Sequence, residues 1–244
     1  MDPGASFAFP FRGRHWLRRV LVGGALETLP FVLGIALVAA FLSAERTDWT
    51  LVASLAPLAL VSLACRFAVL GYLRRVARGI LDGTLAEPPS WARPGALVVD
   101  GLSLWLVSLA LWLPALVVAV TAVALATLAG STEAVWLPAV LAGGPAALAT
   151  VFLLPACLLA AVEGESVALA LDLRSAAARI ARTPGSYTAA CAFALATEVL
   201  AHFGLLLLVV GLLVTRFAAH VMAVHAFASA WRSMPAPAAE GIPD

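Results

Sequence analysis

Apolar residues run along this chain in long blocks that alternate with short, arginine-rich polar stretches. A helix needs about 20 consecutive apolar residues to cross a bilayer, so each block of that length predicts one transmembrane helix. The blocks lie at about residues 20–42, 51–73, 101–129, 134–162 and 187–232. We therefore predict an all-α, polytopic membrane protein, with a single membrane domain over 1–244 that ends in a flexible tail at 233–244.

The last block is too long for one crossing. Gly211 followed by Arg216 is where we place a reversal, which divides the block into helices at 187–211 and 213–232 and gives six helices. One tilted helix with a long tail is the alternative and gives five. In the fourth span, Pro138 and the run from Gly143 to Pro145 favour an irregular or re-entrant outer third.

The basic residues predict the orientation, and all 15 of them are arginines. With a cytoplasmic N-terminus, Arg46 and Arg216 fall outside and Arg66 falls within a span. Such a bias predicts a multi-pass protein of the plasma membrane with both termini cytoplasmic. The first block is longer than the apolar core of a signal peptide, so we expect a retained helix. The arginines on the inner side are Arg12, Arg14, Arg18, Arg19, Arg74, Arg75, Arg78, Arg93, Arg174, Arg179, Arg182 and Arg232.

Two cytoplasmic segments, Leu73–Gly83 and Val167–Arg182, have an apolar helical face opposite an arginine-bearing one. This pattern suits an anionic membrane surface, where each basic residue contributes about 1 kcal/mol. It suits equally well segments that merely continue or connect spans. The arginines expected at anionic lipid headgroups are Arg74, Arg75, Arg78, Arg174, Arg179 and Arg182.

Composition excludes several classes of protein. The chain is 63% hydrophobic and 12% charged, with a mean hydropathy of +1.01, whereas soluble domains carry about 25% charged residues. A net charge of +1 without a basic, aromatic-rich face argues against nucleic acid as a partner. Phosphate-binding loops, dinucleotide-binding glycine motifs and nucleophile elbows are absent from the sequence. We therefore predict neither an enzyme nor a cofactor or metal site.

Several short motifs resemble one family of membrane proteins, catalogued as domain of unknown function 4013. The most specific is the Gly-Tyr-x-x-Arg-Val-x-Arg block in residues 71–83. The resemblance extends over about residues 7–232 and implies a prokaryotic multi-span protein with no established activity. The other motifs that carry it are Phe9–Arg12, Trp16–Gly24, Pro88–Trp91, Asp100–Ser103, Arg182–Tyr187 and His225–Arg232.

Ionisable residues inside predicted spans are the candidates for function, because an unpaired charge at mid-bilayer costs about 2.5–3.5 kcal/mol. Glu27 and Arg66 lie at similar predicted depths on neighbouring helices, which predicts an ion pair. The pair is either a structural clamp or a gate or binding charge.

The last two helices carry a second group. Glu198 and His202 share a face of one helix, while His220 and His225 lie on the next, with His225 roughly level with His202 if the chain reverses near Arg216. Such residues ligate metals, relay protons or make interhelical hydrogen bonds. Our leading expectation is a membrane protein of unknown activity that organises lipids or partner proteins. The alternative is a small transporter, channel or permease subunit that uses Glu27 with Arg66, or Glu198 with His202 and His225.

Overall fold

The computed structural model describes residues 2–43, 49–128, 136–204 and 208–235, and every regular element in these ranges is a helix. After α1 (Pro3–Ala8) and a 3₁₀ turn at Phe9–Phe11, the long helices are α2 (Trp16–Ser43), α3 (Trp49–Leu81), α4 (Pro94–Leu128) and α5 (Trp136–Gly164). Two short helices follow, α6 (Val167–Leu171) and α7 (Leu173–Arg182), and then α8 (Pro184–Phe203) and α9 (Leu208–Ser233). Arg46 and residues 236–244 of the predicted tail lie outside the described residues.

Four segments of these helices are long and apolar enough to cross a membrane. They are Ala56–Leu81, Pro94–Leu128, Val140–Gly164 and Leu213–Ser233. A helical protein of the membrane class is therefore supported, whereas the crossings assigned to α2 and α8, and hence the count of six, stay predictions. The chain divides into two compact units, the first made of Met1–Ser103 and Gly185–Ser233, the second of Leu104–Pro184 and Met234–Asp244. A single membrane domain likewise stays a prediction.

In the first unit, α2, α3 and α9 pack against one another, and α1 packs against α9. Small residues let α2 approach α9: a Cβ atom on Gly24 would overlap the backbone oxygen of Leu213. The linker after α3 folds back over the helix ends, where Tyr72 donates from its hydroxyl to Pro89 O at 3.0 Å. Trp91 stacks on the Tyr72 ring with centroids 4.2 Å apart. These contacts hold the linker against the arginine-rich ends of the helices in the first unit.

In the second unit, α5 is one continuous helix despite its internal prolines, so the predicted break near Gly143 is wrong. Pro138 lies in the first turn of α5, where a proline removes no helical hydrogen bond. Gly143 packs against Ala119 of α4, and Thr150 Oγ1 donates to Leu111 O at 3.4 Å. Small residues thus bring α4 and α5 together, as is common between membrane helices.

The two amphipathic segments differ from each other. Leu73–Gly83 is not a separate element but mostly the last turns of α3, with Val76 and Ile80 buried in the first unit. Val167–Arg182 forms α6 and α7, separated at Asp172, whose carboxylate accepts from Ser175 N at 3.0 Å. Both lie against α5. The alternative that the first segment continues a span therefore fits the structure better.

The last apolar block divides, but earlier than predicted. α8 ends at Phe203 and α9 begins at Leu208, whereas the reversal was expected beyond Gly211. Arg216 consequently lies inside the candidate span Leu213–Ser233 and not at an outer turn. Because Thr215 Oγ1 donates to Ala201 O at 3.1 Å, these helices face each other at that level. A charge near a glycine was therefore a misleading sign of the turn.

Candidate functional site: a charged cluster within the helices

Among the described residues of the first unit, Glu27 of α2 is the most deeply buried charged group, with 2% of its side chain exposed. Its Oε1 lies 3.7 Å from Arg66 Nη1, 3.6 Å from Arg216 Nε and 2.6 Å from His220 Nδ1. These distances are those of ion pairs. Among the described residues, however, neither Glu27 oxygen has a contact with hydrogen-bond geometry. Glu27 is thus the common anion of three basic groups contributed by α3 and α9.

His220 connects this carboxylate to a second one. Its other ring nitrogen, Nε2, lies 3.7 Å from Oε2 of Glu198 on α8. The exposed fraction of the side chain rises from 2% at Glu27 to 27% at His220 and 41% at Glu198. The imidazole therefore lies between a buried carboxylate and a half-exposed one.

Local sequence explains why these groups meet. On α9, Leu213, Arg216 and His220 recur at spacings of three and four and so share one face. On α2, Glu27 lies one turn beyond Gly23, at which a Cβ atom would overlap the ring of Phe217. The Gly23-Gly24 pair lets the two backbones approach closely, and this brings the next turn of α2 onto the polar residues of α9.

The predicted contact between Glu27 and Arg66 is present, but it is one of three around the same oxygen. Arg216 was not among the predicted site residues, because the misplaced reversal put this residue outside the membrane. The spacing of Arg216 and His220, four residues apart on an apolar helix, was the signal that could have found it. Of the second predicted group, His220 and Glu198 join Glu27 in one cluster.

The other two predicted histidines have different surroundings. His225 is ten residues beyond Thr215 on α9, about 15 Å further along the helix at 1.5 Å per residue. There it hydrogen-bonds Ser6 Oγ through Nδ1 at 2.9 Å and packs on Phe9, so its grouping with His202 is wrong. His202 is exposed, and its Nδ1–H donates to the backbone oxygen of Glu198 at 2.7 Å. The same Nδ1 lies 4.0 Å from Glu198 Oε1, so His202 borders the Glu198 end of the bridge.

The cluster suits proton transfer better than metal binding. Among the described residues, no three His, Cys, Asp or Glu side chains are placed to hold a metal ion. An imidazole with a carboxylate at each ring nitrogen can accept a proton on one side and release one on the other. The positive charges of Arg66 and Arg216 balance the negative charge of the Glu27 carboxylate. Arginine side chains stay protonated, so these two residues do not exchange protons themselves.

Four of the six arginines predicted at lipid headgroups have carboxylate partners inside the protein. Arg74 Nη1 lies 3.4 Å from Asp100 and donates to Ser103 Oγ at 2.9 Å, while Arg75 Nε lies 3.8 Å from Asp100. Arg179 is nearly buried and pairs with Glu163 at 2.6 Å. Arg78 pairs with Asp82 along its own helix, and Arg174 and Arg182 are exposed.

Comparisons with known proteins give a family without an activity. A family model described as "Protein of unknown function (DUF4013)" matches residues 52–215. No curated protein and no solved structure matches the chain. The matched range covers most of the chain and includes Arg66 and Glu198, whereas the part of the resemblance outside it stays a prediction. The motifs of the α3 end and of the following linker, together with this match, make the chain a member of the DUF4013 family.

Proposed function

We propose that this protein is a small transporter or permease subunit of the plasma membrane whose cargo movement is linked to proton transfer through Glu27, His220 and Glu198. The observation that carries the proposal is the position of His220, with Nδ1 2.6 Å from Glu27 and Nε2 3.7 Å from Glu198. Ionisable residues within membrane helices are expensive, and they commonly mark ion pathways and proton relays.

A structural clamp is the main competitor, and the geometry disfavours it. A clamp satisfies both oxygens of its carboxylate, because an unsatisfied buried polar group costs about 1–3 kcal/mol. Glu27 Oε2 is buried without a hydrogen-bond partner among the described residues, while three basic groups approach Oε1. Arg66 also keeps 46% of its side chain exposed, which a tightly closed clamp would not require.

The proposed orientation keeps both termini cytoplasmic. At the ends of α2, α3 and α9, arginines contact backbone oxygens and carboxylates of the first unit: Arg19 lies 3.4 Å from Glu87 and Arg232 donates to Ile80 O at 3.4 Å. These ends therefore share one side, and by the positive-inside rule we assign that side to the cytoplasm. In this orientation Glu198 lies nearer the outer side of the membrane than Glu27 does. The relay therefore runs from Glu198 on the outer side inward to Glu27.

The test is proton flux into vesicles that contain the purified full chain. With a potassium diffusion potential and a pH-sensitive dye inside, wild-type vesicles should change internal pH faster than empty ones, with or without an extract of small cellular solutes as cargo. His220→Gln should abolish the difference, because glutamine cannot pass a proton between the two carboxylates. His225→Gln is the matched control and should keep wild-type flux, since the His225 ring hydrogen-bonds Ser6 and packs on Phe9. Equal rates for empty and protein-bearing vesicles under both conditions would contradict the proposal.

A second candidate function is organisation of lipids at the membrane surface by α6 and α7. Val167, Leu169, Leu171 and Leu173 are exposed there, and exposed Arg174 follows them directly. An amphipathic helix of this kind suits the interface of an anionic leaflet. It ranks second because Arg74, Arg75 and Arg179 pair with carboxylates of the chain itself.

A further inference from the structure

A cavity of about 450 Å³ opens at the arginine-rich end of the first unit, between the start of α2 and the linker from α3 to α4. No residue of the Glu27 cluster lines it. It is therefore a feature distinct from the proposed proton relay. The side chains that matter for its chemistry are His15, Arg18, Arg19, Val22, Ser90 and Trp91.

The wall made by the linker is held in place. Trp91 Nε1 donates to the backbone oxygen of Arg19 at 2.9 Å, which ties the linker to α2. The same indole packs against the rings of Tyr72 and Phe217, with centroids 4.2 Å and 5.6 Å away. A ligand would thus meet a preformed wall and would not have to order it, which favours binding.

The cavity has an uncompensated positive charge. Arg19 is nearly buried and lies 3.4 Å from Glu87, so its charge is balanced within the protein. Arg18 is exposed, and none of the described carboxylates pairs with it. The His15 imidazole and the Ser90 hydroxyl lie on the same cavity. A guanidinium with neighbouring hydrogen-bonding groups is well matched to a phosphate group.

The surroundings point to a phosphate on a lipid and not to a soluble one. Leu17 and Leu21 flank Arg18 on α2, and Leu29 lies about two turns beyond Leu21; all three are exposed. On a membrane helix, such a stripe faces acyl chains. Val22 and the Trp91 ring give the cavity an apolar lining next to this stripe. The cavity also falls in the size range of sites that hold whole small molecules, about 300–1,000 Å³.

We propose that this cavity binds the headgroup of an anionic phospholipid, with the phosphate at Arg18 and His15 and the acyl chains along the exposed leucines of α2. The site fixes one lipid molecule at a defined place, unlike the diffuse attraction of a basic surface. The inference does not depend on proton transfer, so the two proposals fail or succeed separately.

The test is native mass spectrometry of the full chain in detergent, with phosphatidylglycerol or zwitterionic phosphatidylcholine added at equal concentration. The wild-type protein should retain a single phosphatidylglycerol adduct in preference to phosphatidylcholine. Arg18→Gln should lower the phosphatidylglycerol affinity about fivefold, since one basic residue contributes about 1 kcal/mol. Ala92→Trp, which fills the cavity without changing any charge, should lower it at least as much.

Arg14→Gln is the matched control. Arg14 is an exposed arginine of the same segment that does not line the cavity, so its loss should leave the adduct unchanged. An equal loss in Arg14→Gln and Arg18→Gln would overturn the proposal in favour of general surface attraction. Wild-type lipid binding in Arg18→Gln, a variant at an exposed position that should fold normally, would also overturn it. Displacement of the lipid by glycerol phosphate at equal concentration would overturn the proposal as well, because the cavity would then be a site for soluble phosphate esters.

Discussion

The two units of this protein differ in what their helices place in the middle of the apolar spans. The first unit buries Glu27 and surrounds it with Arg66, Arg216 and His220. The second unit has its described ion pair, Arg179 with Glu163, near the end of α5. One unit therefore carries charge deep inside the apolar region, and the other keeps it at a helix end.

The second unit indicates that membrane helices of this chain pack without buried charge. Gly143 of α5 packs on Ala119 of α4, while Leu116, Val120 and Leu148 point outward as a lipid-facing surface would. Since small residues suffice for helix contact there, the charges of the first unit are not needed merely to join helices. A buried charge that packing does not require is the strongest reason to look for function in the first unit.

The largest expected effect follows from neutralising the buried anion. Glu27→Gln leaves Arg66, Arg216 and His220 around a neutral amide, and removing one partner of a buried charge group costs about 3–5 kcal/mol. The measurement is the free energy of unfolding in mixed detergent micelles. Glu163→Gln is the matched control in the second unit: the amide oxygen can still accept from the nearly buried Arg179, and 46% of the Glu163 side chain is exposed, so the loss should be smaller, about 1–3 kcal/mol. Equal losses would remove the contrast between the units.

Arg66→Ala sharpens the same comparison. A two-residue clamp predicts a loss as large as that of Glu27→Gln, whereas three basic groups around one oxygen predict a smaller loss, because Arg216 and His220 still face Glu27. Unfolding of Arg66→Ala alone and combined with Glu27→Gln distinguishes the two models. The two-residue clamp would be the better model if Arg66→Ala alone lost as much stability as Glu27→Gln and the added Glu27→Gln substitution restored that stability fully.

Hydropathy predicted most of the fold because apolar length is a strong and local signal. The first four apolar blocks correspond to α2, α3, α4 and α5. Most of the predicted ends lie within a few residues of the observed helix ends. The break after α8 was misplaced because no residue in that block forbids a helix: Arg216 can remain inside α9 once Glu27 is there to meet it. That compensation is a tertiary contact between distant parts of the chain, which a local pattern does not contain.

Four members of the Glu27 cluster could be singled out from the sequence, but Arg216 and the arrangement could not. Glu27, Arg66, Glu198 and His220 were found because ionisable residues in apolar blocks are conspicuous. His225 was grouped wrongly because the depth of a residue on α9 depends on where the helix begins, and that boundary was displaced by several residues. The distance between two helices, which Gly23 and Gly24 set here, was likewise invisible in hydropathy.

A smaller effect is expected where α2 approaches α9. Gly24→Ala places a methyl group onto the backbone oxygen of Leu213, so the helices must separate at a cost of about 1–3 kcal/mol. Gly34→Ala on the same helix has nothing within 4 Å, and there alanine should stabilise by about 0.5–1 kcal/mol through helix propensity. Thermal unfolding of the two variants checks both signs. A neutral Gly24→Ala would mean that the Glu27 cluster does not depend on this close approach.

The smallest effect distinguishes the arginine-rich segments of the two units. Arg174→Gln on α7 should change unfolding by less than about 0.5 kcal/mol in zwitterionic bicelles, because Arg174 is exposed. In anionic bicelles the wild type should gain free energy of unfolding from the lipid, and Arg174→Gln should gain about 1 kcal/mol less. Arg74→Gln should lose stability equally in both lipids, since its guanidinium lies at Asp100 and Ser103 within the protein. A lipid-dependent loss in Arg74→Gln would show instead that both segments serve the membrane surface, and the contrast between the units would then rest on the Glu27 cluster alone.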